Sequence, residues 1–317
     1  MGDLATRRRR VGPFDISRVR TAFDGYLTKE RALSKASKVS YWFITRRFLT
    51  ELRRSRRGFD PAVLRPSHIT AYLMRHAAEV STRTLQTMAS GLRSFLRFLF
   101  RQGWAAADLS TSVLTARSWR HAALPRYLAP DDVERLVQSC DLSTPIGRRD
   151  HAILLLLARL GLRATEVVAL GMDDVDWRAG EILIRGKGLV FDRLPLPRDV
   201  GAALAKHLQH GRRGATRRVF VRTAGEAVPF VDGQAINDVL KRALARTGVR
   251  MPAKWVGSHV FRHSLATTMI RRGASLREIG DVLRHRSVDT TTIYAKLDVE
   301  ALRSIAKPWP LGVGGRR

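Results

Sequence analysis

The chain is poor in cysteine, in acidic residues and in long apolar runs. Its single cysteine, Cys140, excludes a disulfide framework and a metal site built from several thiolates. The longest apolar run, residues 152–158, is far shorter than the ~18 residues of a membrane span, so no membrane insertion is expected. The arginines at 7–10 have no apolar segment behind them, so they are not expected to open a secretory signal. These absences predict a cytoplasmic protein.

The shortage of carboxylates gives the chain an extreme charge. Fifty-seven basic and 28 acidic residues leave a net charge of +29, which indicates a polyanionic partner. Residues 1–124 hold 24 basic and 8 acidic residues, which leaves 33 and 20 for the rest. A coding bias can favour arginine over lysine, but it does not explain so few carboxylates. Double-stranded DNA is therefore the expected partner.

The length of 317 residues predicts about two domains. We expect a basic flexible arm at 1–12, a helical domain at 13–104, a linker at 105–127, a second domain at 128–300 and a tail at 301–317. The linker prediction rests on the absence of periodicity between residues 105 and 127.

Apolar residues in the first domain recur at helical spacing. One helix is predicted to begin after Ser81, where Leu85, Met88, Leu92 and Leu96 follow at intervals of three and four. For any single arginine nearby, a solvated helix face is the ordinary explanation. The whole set favours a helical module that lies on DNA backbone, and its candidate contacts are Arg53, Arg54, Arg83, Arg93 and Arg97.

The second domain is predicted to be mostly helical with one small sheet. Strands are expected at 181–185 and 189–196, joined through Gly186-Lys187-Gly188. A helix is expected to open at Pro130, and others are expected at about 146–160, 163–170, 198–210, 233–246, 259–272, 275–284 and 288–296. The predicted fold class is mainly α with a small β-sheet (α+β).

Six polar residues of this domain form a set that could break a phosphodiester without metal: Arg163, Lys187, His259, Arg262, His285 and Tyr294. Two arginines can clamp phosphate oxygens, a histidine can move a proton near neutral pH, and a tyrosine can act as nucleophile. Each residue also has a plainer explanation on its own. Arg163 could pair with Glu166 one turn on, Lys187 could lie in a solvated turn, and Tyr294 could be half-buried packing.

A zinc protease is excluded by the same region. His259 and His263 are four residues apart, as in a zinc-binding H-E-x-x-H helix, but Val260 stands where the general-base glutamate would be. No third ligand is evident in the sequence, so no metal site is predicted. His263 is interpreted as a structural residue.

At these six residues the chain resembles the tyrosine recombinase (phage integrase) family. The resemblance implies a helical, SAM-like core-binding domain and a catalytic domain that form a C-shaped clamp on DNA. Tyr294 would attack the scissile phosphate to give a 3′-phosphotyrosyl link and a free 5′ hydroxyl. The two arginines would hold the phosphate oxygens, Lys187 would be the general acid, His259 the general acid/base, and His285 a hydrogen-bond donor to phosphate.

The resemblance also implies that no cofactor is needed, because the covalent link conserves the bond energy. A homo-tetramer would act on two duplexes, the C-terminal tail would dock on a neighbouring subunit, and accessory DNA-bending proteins could take part. The stretch 291–298 resembles recombinases of transposons and other mobile elements. The chain departs from the family at Arg284, where the family usually has a glycine before the histidine.

Two alternatives stay open at this point. The chain could be a DNA-binding protein on the same fold that has lost its chemistry, although the complete set of six residues argues against decay. It could also be a type IB topoisomerase-like relaxase, which uses related chemistry on supercoiled DNA.

Overall fold

The computed structural model describes residues 15–55, 60–114, 126–186, 191–223, 225–251, 257–285 and 288–297. The predicted arm, Lys187, the predicted tail and the centre of the predicted linker lie outside these residues. The chain divides into two compact units, Met1–Ala122 and Ala123–Arg317. Within the described ranges, none of the helices has the length and apolar character that crossing a membrane requires.

The first unit is helical. Its helices are α1 (Ile16–Lys29), α2 (Lys35–Ser55), α3 (Pro66–Ala77) and α4 (Thr82–Arg101). Ser81 caps α4, as the sequence predicts, because its side chain accepts a hydrogen bond from the Thr84 N–H at 3.2 Å. Phe95 and Phe98 of α4 pack against Phe23 of α1 and are fully buried, which places α4 at the centre of this core.

Part of the predicted linker packs on this first core. A short 3₁₀ helix, Leu109–Ser112, follows α4, and Ala105 and Val113 are buried with the α1–α4 core. Arg93 of α4 donates to the Val113 carbonyl at 2.7 Å, and Arg97 donates to the Ser110 hydroxyl at 3.2 Å. Compact packing therefore extends to Val113. The sequence missed it because a single 3₁₀ turn buries too few residues to show a period.

The second unit surrounds one buried helix. Its elements are α5 (Pro130–Gln138), α6 (Pro145–Leu160), α7 (Ala164–Ala169), β1 (Val175–Asp176), β2 (Glu181–Arg185), β3 (Phe191–Pro195), α8 (Arg198–His210), α9 (Gln234–Thr247), α10 (His259–Arg271), α11 (Leu276–Val282) and α12 (Val288–Thr291), followed by a 3₁₀ helix at Thr292–Leu297. Residues 152–158 of α6 are apolar on every side of the helix and are all buried among α5, α8, α9 and α10. Gly161 ends it in the left-handed conformation, at φ 57°.

The three strands form an antiparallel sheet in the order β1-β2-β3. Ile182 and Ile184 of β2 face the core, as the alternation of a half-buried strand requires. Arg185 pairs with Phe191, so Lys187 falls in the connection 186–190 between β2 and β3. The predicted fold class is confirmed, whereas the predicted last helix is only partly α-helical, since 292–297 continue as a 3₁₀ helix.

Candidate active site

Arg262 is the most deeply buried cation of the predicted set. It lies on α10, is only 3% exposed, and donates to the Gly161 carbonyl at 2.7 Å and to the Leu283 carbonyl. Burial and the nearby positive charges of Arg163 and Arg284 lower its pKa to about 9. Because that value lies above neutrality, the guanidinium remains charged at pH 7. Arg262 thus places a fixed cation between the end of α6 and the end of α11.

Arg163 stands immediately before α7. Its side chain is about one-third exposed and donates to the Glu166 carboxylate at 2.6 Å, and its backbone N–H donates to the other Glu166 oxygen at 2.8 Å. Burial raises the pKa of Glu166. The hydrogen bond from the Arg163 backbone and the charges of Arg284 and Arg163 outweigh burial, so the net shift of this pKa is downward. The pairing that the sequence left open therefore exists, and it holds Arg163 beside the Arg262 region.

Tyr294 lies in the 3₁₀ helix that follows α12, packs against α10, and is 1% exposed. Its ring packs with Ala266, Ile270 and Leu283. Its hydroxyl and His263 Nδ1 share a hydrogen bond of 2.7 Å. Burial raises the pKa of Tyr294 to about 12, and the nearby charge of Arg262 opposes that shift. The phenol is therefore neutral at pH 7 in the free chain.

The histidines of the site surround this tyrosine. His285 lies parallel to the Tyr294 ring with centroids 6.4 Å apart, and its Nδ1 shares a hydrogen bond of 2.7 Å with the buried Thr291 hydroxyl. His259, at the start of α10, is exposed, and its ring centroid lies 6.2 Å from that of His263. Burial, followed by neighbouring charges, lowers the pKa of both His263 and His285 to about 4, so both are neutral at pH 7.

The structure thus brings five of the six predicted residues into one connected region, and Lys187 lies outside the described residues. Three elements supply them: the start of α7, helix α10, and the segment from the end of α11 through the 3₁₀ helix. The described residues contain no group of three or more His, Cys, Asp or Glu side chains arranged to hold a metal ion.

Sequence comparison decides the family. Residues 126–301 match the model of the phage integrase family, and residues 21–103 match its N-terminal SAM-like domain. The chain is 43% identical over 290 residues to the integrase/recombinase y4rA of Sinorhizobium fredii, covering 91% of this chain and 70% of that protein. It is 31% identical to the tyrosine recombinase XerD of Listeria monocytogenes, covering 89% of this chain and 95% of XerD.

This chain belongs to the phage integrase family. The family match and the named relatives make it a tyrosine-type site-specific recombinase. A solved structure of a lambda integrase tetramer bound to a Holliday junction matches 94% of this chain and 80% of that chain with a TM-score of 0.66. At 15% identity, this match shows the fold.

The departure from the phage integrase pattern at Arg284 has a structural solution. Arg284 follows the C-cap of α11 and adopts φ 54°, a conformation that costs an L-residue other than glycine roughly 1–2 kcal/mol. The backbone still makes the turn, since the His285 N–H donates to the Gly280 carbonyl at 2.9 Å. His285 is therefore placed beside Tyr294 despite the missing glycine.

Two interactions in the site were not anticipated from the sequence. His263, which the sequence predicts to be structural, shares a hydrogen bond directly with the Tyr294 hydroxyl. Glu166, which the sequence indicates only as a partner for Arg163, is buried and also accepts a hydrogen bond from Arg284 at 2.9 Å. Residue spacing gave no signal for either interaction, because 31 and 118 residues separate the two partners.

Proposed function

We propose that this recombinase cleaves and rejoins DNA with Tyr294 as the nucleophile. The observation that supports it best is the position of Tyr294 within the same chain's cluster of Arg262, His263 and His285. The Tyr294 oxygen would form a bond to phosphorus while the bond from phosphorus to the 5′ oxygen breaks. The products are a 3′-phosphotyrosyl link and a free 5′ hydroxyl. Attack by another strand's 5′ hydroxyl reverses the step and gives recombination.

The other residues take roles that follow from their chemistry. Arg163 and Arg262 hold the non-bridging oxygens, since each guanidinium presents several donors in one plane. Lys187 protonates the leaving 5′ oxygen and His259 handles the proton of the attacking phenol. His285 donates to the phosphate. The negative charge of the phosphate would draw the Arg163 side chain away from Glu166 and onto the substrate. Arg262 would stay in place, because it is held by its two carbonyl partners.

The nucleophile must be uncovered before it can act. Tyr294 is 1% exposed and its hydroxyl is bonded to His263, so a DNA phosphate cannot reach it in this arrangement. We therefore propose that binding of DNA moves the 3₁₀ segment and breaks the hydrogen bond between His263 and Tyr294. In the free chain the Tyr294 hydroxyl would then stay covered and would not attack a phosphate.

DNA contacts in the first unit are proposed for Arg53, Arg54, Arg83, Arg93 and Arg97. Four of them are exposed and Arg93 is half-buried. Arg93 and Arg97 also brace the 3₁₀ helix after α4, so Arg53, Arg54 and Arg83 are the better probes of DNA contact. A homo-tetramer on two duplexes is proposed for the synaptic complex, as in the lambda integrase structure, and docking of the tail on a neighbour stays part of this proposal.

The experiment has two stages because the DNA site is unknown. The chain is first expressed in its host, DNA covalently attached to it is purified, and the attachment points are sequenced. An end-labelled suicide substrate, nicked beside the recovered site, is then incubated with the wild type and with Tyr294→Phe. We expect a covalent protein–DNA band for the wild type and none for the variant, with equal binding in a gel-shift assay.

Three outcomes would count against this function. An adduct that persists in Tyr294→Phe would show that another residue is the nucleophile. The absence of any wild-type adduct at the bound site would favour a DNA-binding protein that does not cleave DNA. Relaxation of arbitrary supercoiled plasmid by dilute protein would favour the topoisomerase alternative. Cleavage by the wild type is expected to survive EDTA.

A further inference from the structure

Arg284 is a buried cation at a position where the chain could have used glycine. Its backbone has a positive φ of 54°, and its side chain is only 6% exposed. An arginine that was merely tolerated at this turn would extend its charge into water, because burying a cation without a partner is unfavourable. The direction of the side chain therefore indicates a specific role.

The side chain of Arg284 forms an ion pair with the buried carboxylate of Glu166. Its Nη2 donates to Glu166 Oε2 at 2.9 Å, and its Nη1 donates to the Val282 carbonyl at 3.3 Å. Its Nε lies 3.9 Å from a carboxylate oxygen of Asp192 on β3, the strand that follows the connection holding Lys187. Arg284 thus links the turn before His285 to α7 and approaches β3.

Glu166 joins Arg284 to the proposed phosphate clamp. Its side chain is 4% exposed, and its Oε1 accepts from Arg163 Nη1 at 2.6 Å while its Oε2 faces Arg284. Two guanidinium groups therefore share one buried carboxylate. Arg163 is the more exposed of the two, with about a third of its side chain accessible against 6% for Arg284, so Arg163 is the one that a DNA phosphate can reach.

A phosphate and Glu166 compete for Arg163. If Arg163 were the sole side-chain cation on Glu166, turning it toward a phosphate would leave a buried carboxylate without a charged partner, which is strongly unfavourable. With Arg284 in place, Glu166 keeps a buried guanidinium and the Arg163 backbone N–H at 2.8 Å. The cost of transferring the Arg163 side chain is then lower.

We propose that Arg284 is a positioning residue, which neutralises Glu166 so that Arg163 can leave this carboxylate and bind the scissile phosphate. The inference rests on the proposed role of Arg163 in the clamp. It also explains why a strained arginine stands where the family has glycine, since the backbone cost is offset by an ion pair that only a long cation can make.

The test uses Arg284→Gly, which restores the family residue and removes the backbone strain, and Arg284→Lys, which keeps the charge. Single-turnover cleavage of the suicide substrate is measured for both variants, for Glu166→Gln and for the double variant. We expect Arg284→Gly to cleave about tenfold more slowly, in the range of coupled neighbouring residues, and Arg284→Lys to retain most of the rate. In the Glu166→Gln background, Arg284→Gly should change the rate less than about twofold.

A second substrate separates positioning from stability. Replacing the scissile phosphate with a neutral methylphosphonate removes the charge that draws Arg163 away from Glu166, so the gap between wild type and Arg284→Gly should shrink to about twofold. A purely structural role would lower Tm and leave the same gap on both substrates and in both backgrounds.

The outcomes are distinguishable from failure of the proposed function. Two results would overturn this inference alone, provided that wild type forms the Tyr294 adduct. In the first, Arg284→Gly cleaves the normal substrate at the wild-type rate. In the second, the slower cleavage caused by Arg284→Gly is unchanged in the Glu166→Gln background and on the methylphosphonate. If wild type forms no adduct, both proposals fail together.

Discussion

The proposed DNA contacts of the first unit and the buried arginines of the second unit hold their positive charge in opposite surroundings. In the first unit Arg53, Arg54 and Arg83 are exposed on α2 and α4, whereas in the second unit the side chains of Arg262 and Arg284 are almost fully buried and bonded to backbone carbonyls or to a carboxylate. Exposed cations supply salt-dependent attraction to DNA backbone. Buried cations supply fixed geometry, which is what stabilises charge in a transition state. Binding and cleavage should therefore respond to different substitutions.

The largest effect on the cleavage rate is expected from substitution of the buried Arg262. Arg262→Ala should slow single-turnover cleavage roughly 10²–10³-fold, the usual cost of one preorganised donor, while DNA affinity changes little. It should also lower Tm, since the Gly161 and Leu283 carbonyls lose their donor. Arg262→Lys is the matched control, because it keeps the charge but loses the planar fork. Cleavage by Arg262→Ala within threefold of wild type would remove this residue from the clamp.

The next effect concerns the connection between β2 and β3. Lys187→Ala should slow cleavage about 10²-fold through loss of general-acid catalysis, again with little change in binding. A substrate with sulfur in place of the bridging 5′ oxygen has a leaving group that needs no proton, so it should restore the rate. Arg193→Ala is a control on the same hairpin, because its ion pair with Glu181 is exposed. An unchanged rate on the normal substrate would exclude the acid role.

A smaller effect follows from the neutral histidines around Tyr294. The folded-state pKa of His263 and His285 is about 4, below the ordinary value of 6.5, so the unfolded chain binds more protons between these values. Stability should then be complete above pH 6.5 and should fall as the pH drops toward 4. Tm measured across this window should decrease, and the double variant His263→Asn/His285→Asn should flatten the decrease. An identical slope in the variant would contradict these assignments.

The smallest effect on the cleavage rate is expected from substitution of the exposed arginines of the first unit. Arg83→Gln combined with Arg54→Gln should weaken DNA binding and reduce the slope of log affinity against log salt by about 0.9 for each phosphate that is no longer neutralised. The cleavage rate at saturating protein should stay at the wild-type value. Equilibrium binding at several salt concentrations gives the slope. A lower cleavage rate at saturating protein would contradict the idea that the exposed arginines serve binding and the buried arginines serve cleavage.

Sequence reasoning reached the parts of this molecule that short motifs or regular periods encode. The start of α4 after Ser81 and of α5 at Pro130, the hairpin around Lys187 and the order of the six polar residues all have local signals. The end of the last predicted helix has no such signal: α12 ends at Thr291 and the chain continues as a 3₁₀ helix, and residue spacing over so few positions does not distinguish the two kinds of helix. Pairings such as His263 with Tyr294 and Arg284 with Glu166 depend on tertiary packing, which residue spacing does not record.

The central claim is that Tyr294 attacks a phosphate held by the arginines of its own chain. Mixing Tyr294→Phe with Arg262→Ala on a suicide substrate with two adjacent protein sites tests it directly, because the first variant keeps the clamp without a nucleophile and the second keeps the nucleophile without an intact clamp. Wild type mixed with either variant serves as the positive control. We expect no more covalent adduct from the mixture than from Arg262→Ala alone; adduct well above that level would show that the tyrosine comes from a neighbouring subunit and would contradict the claim.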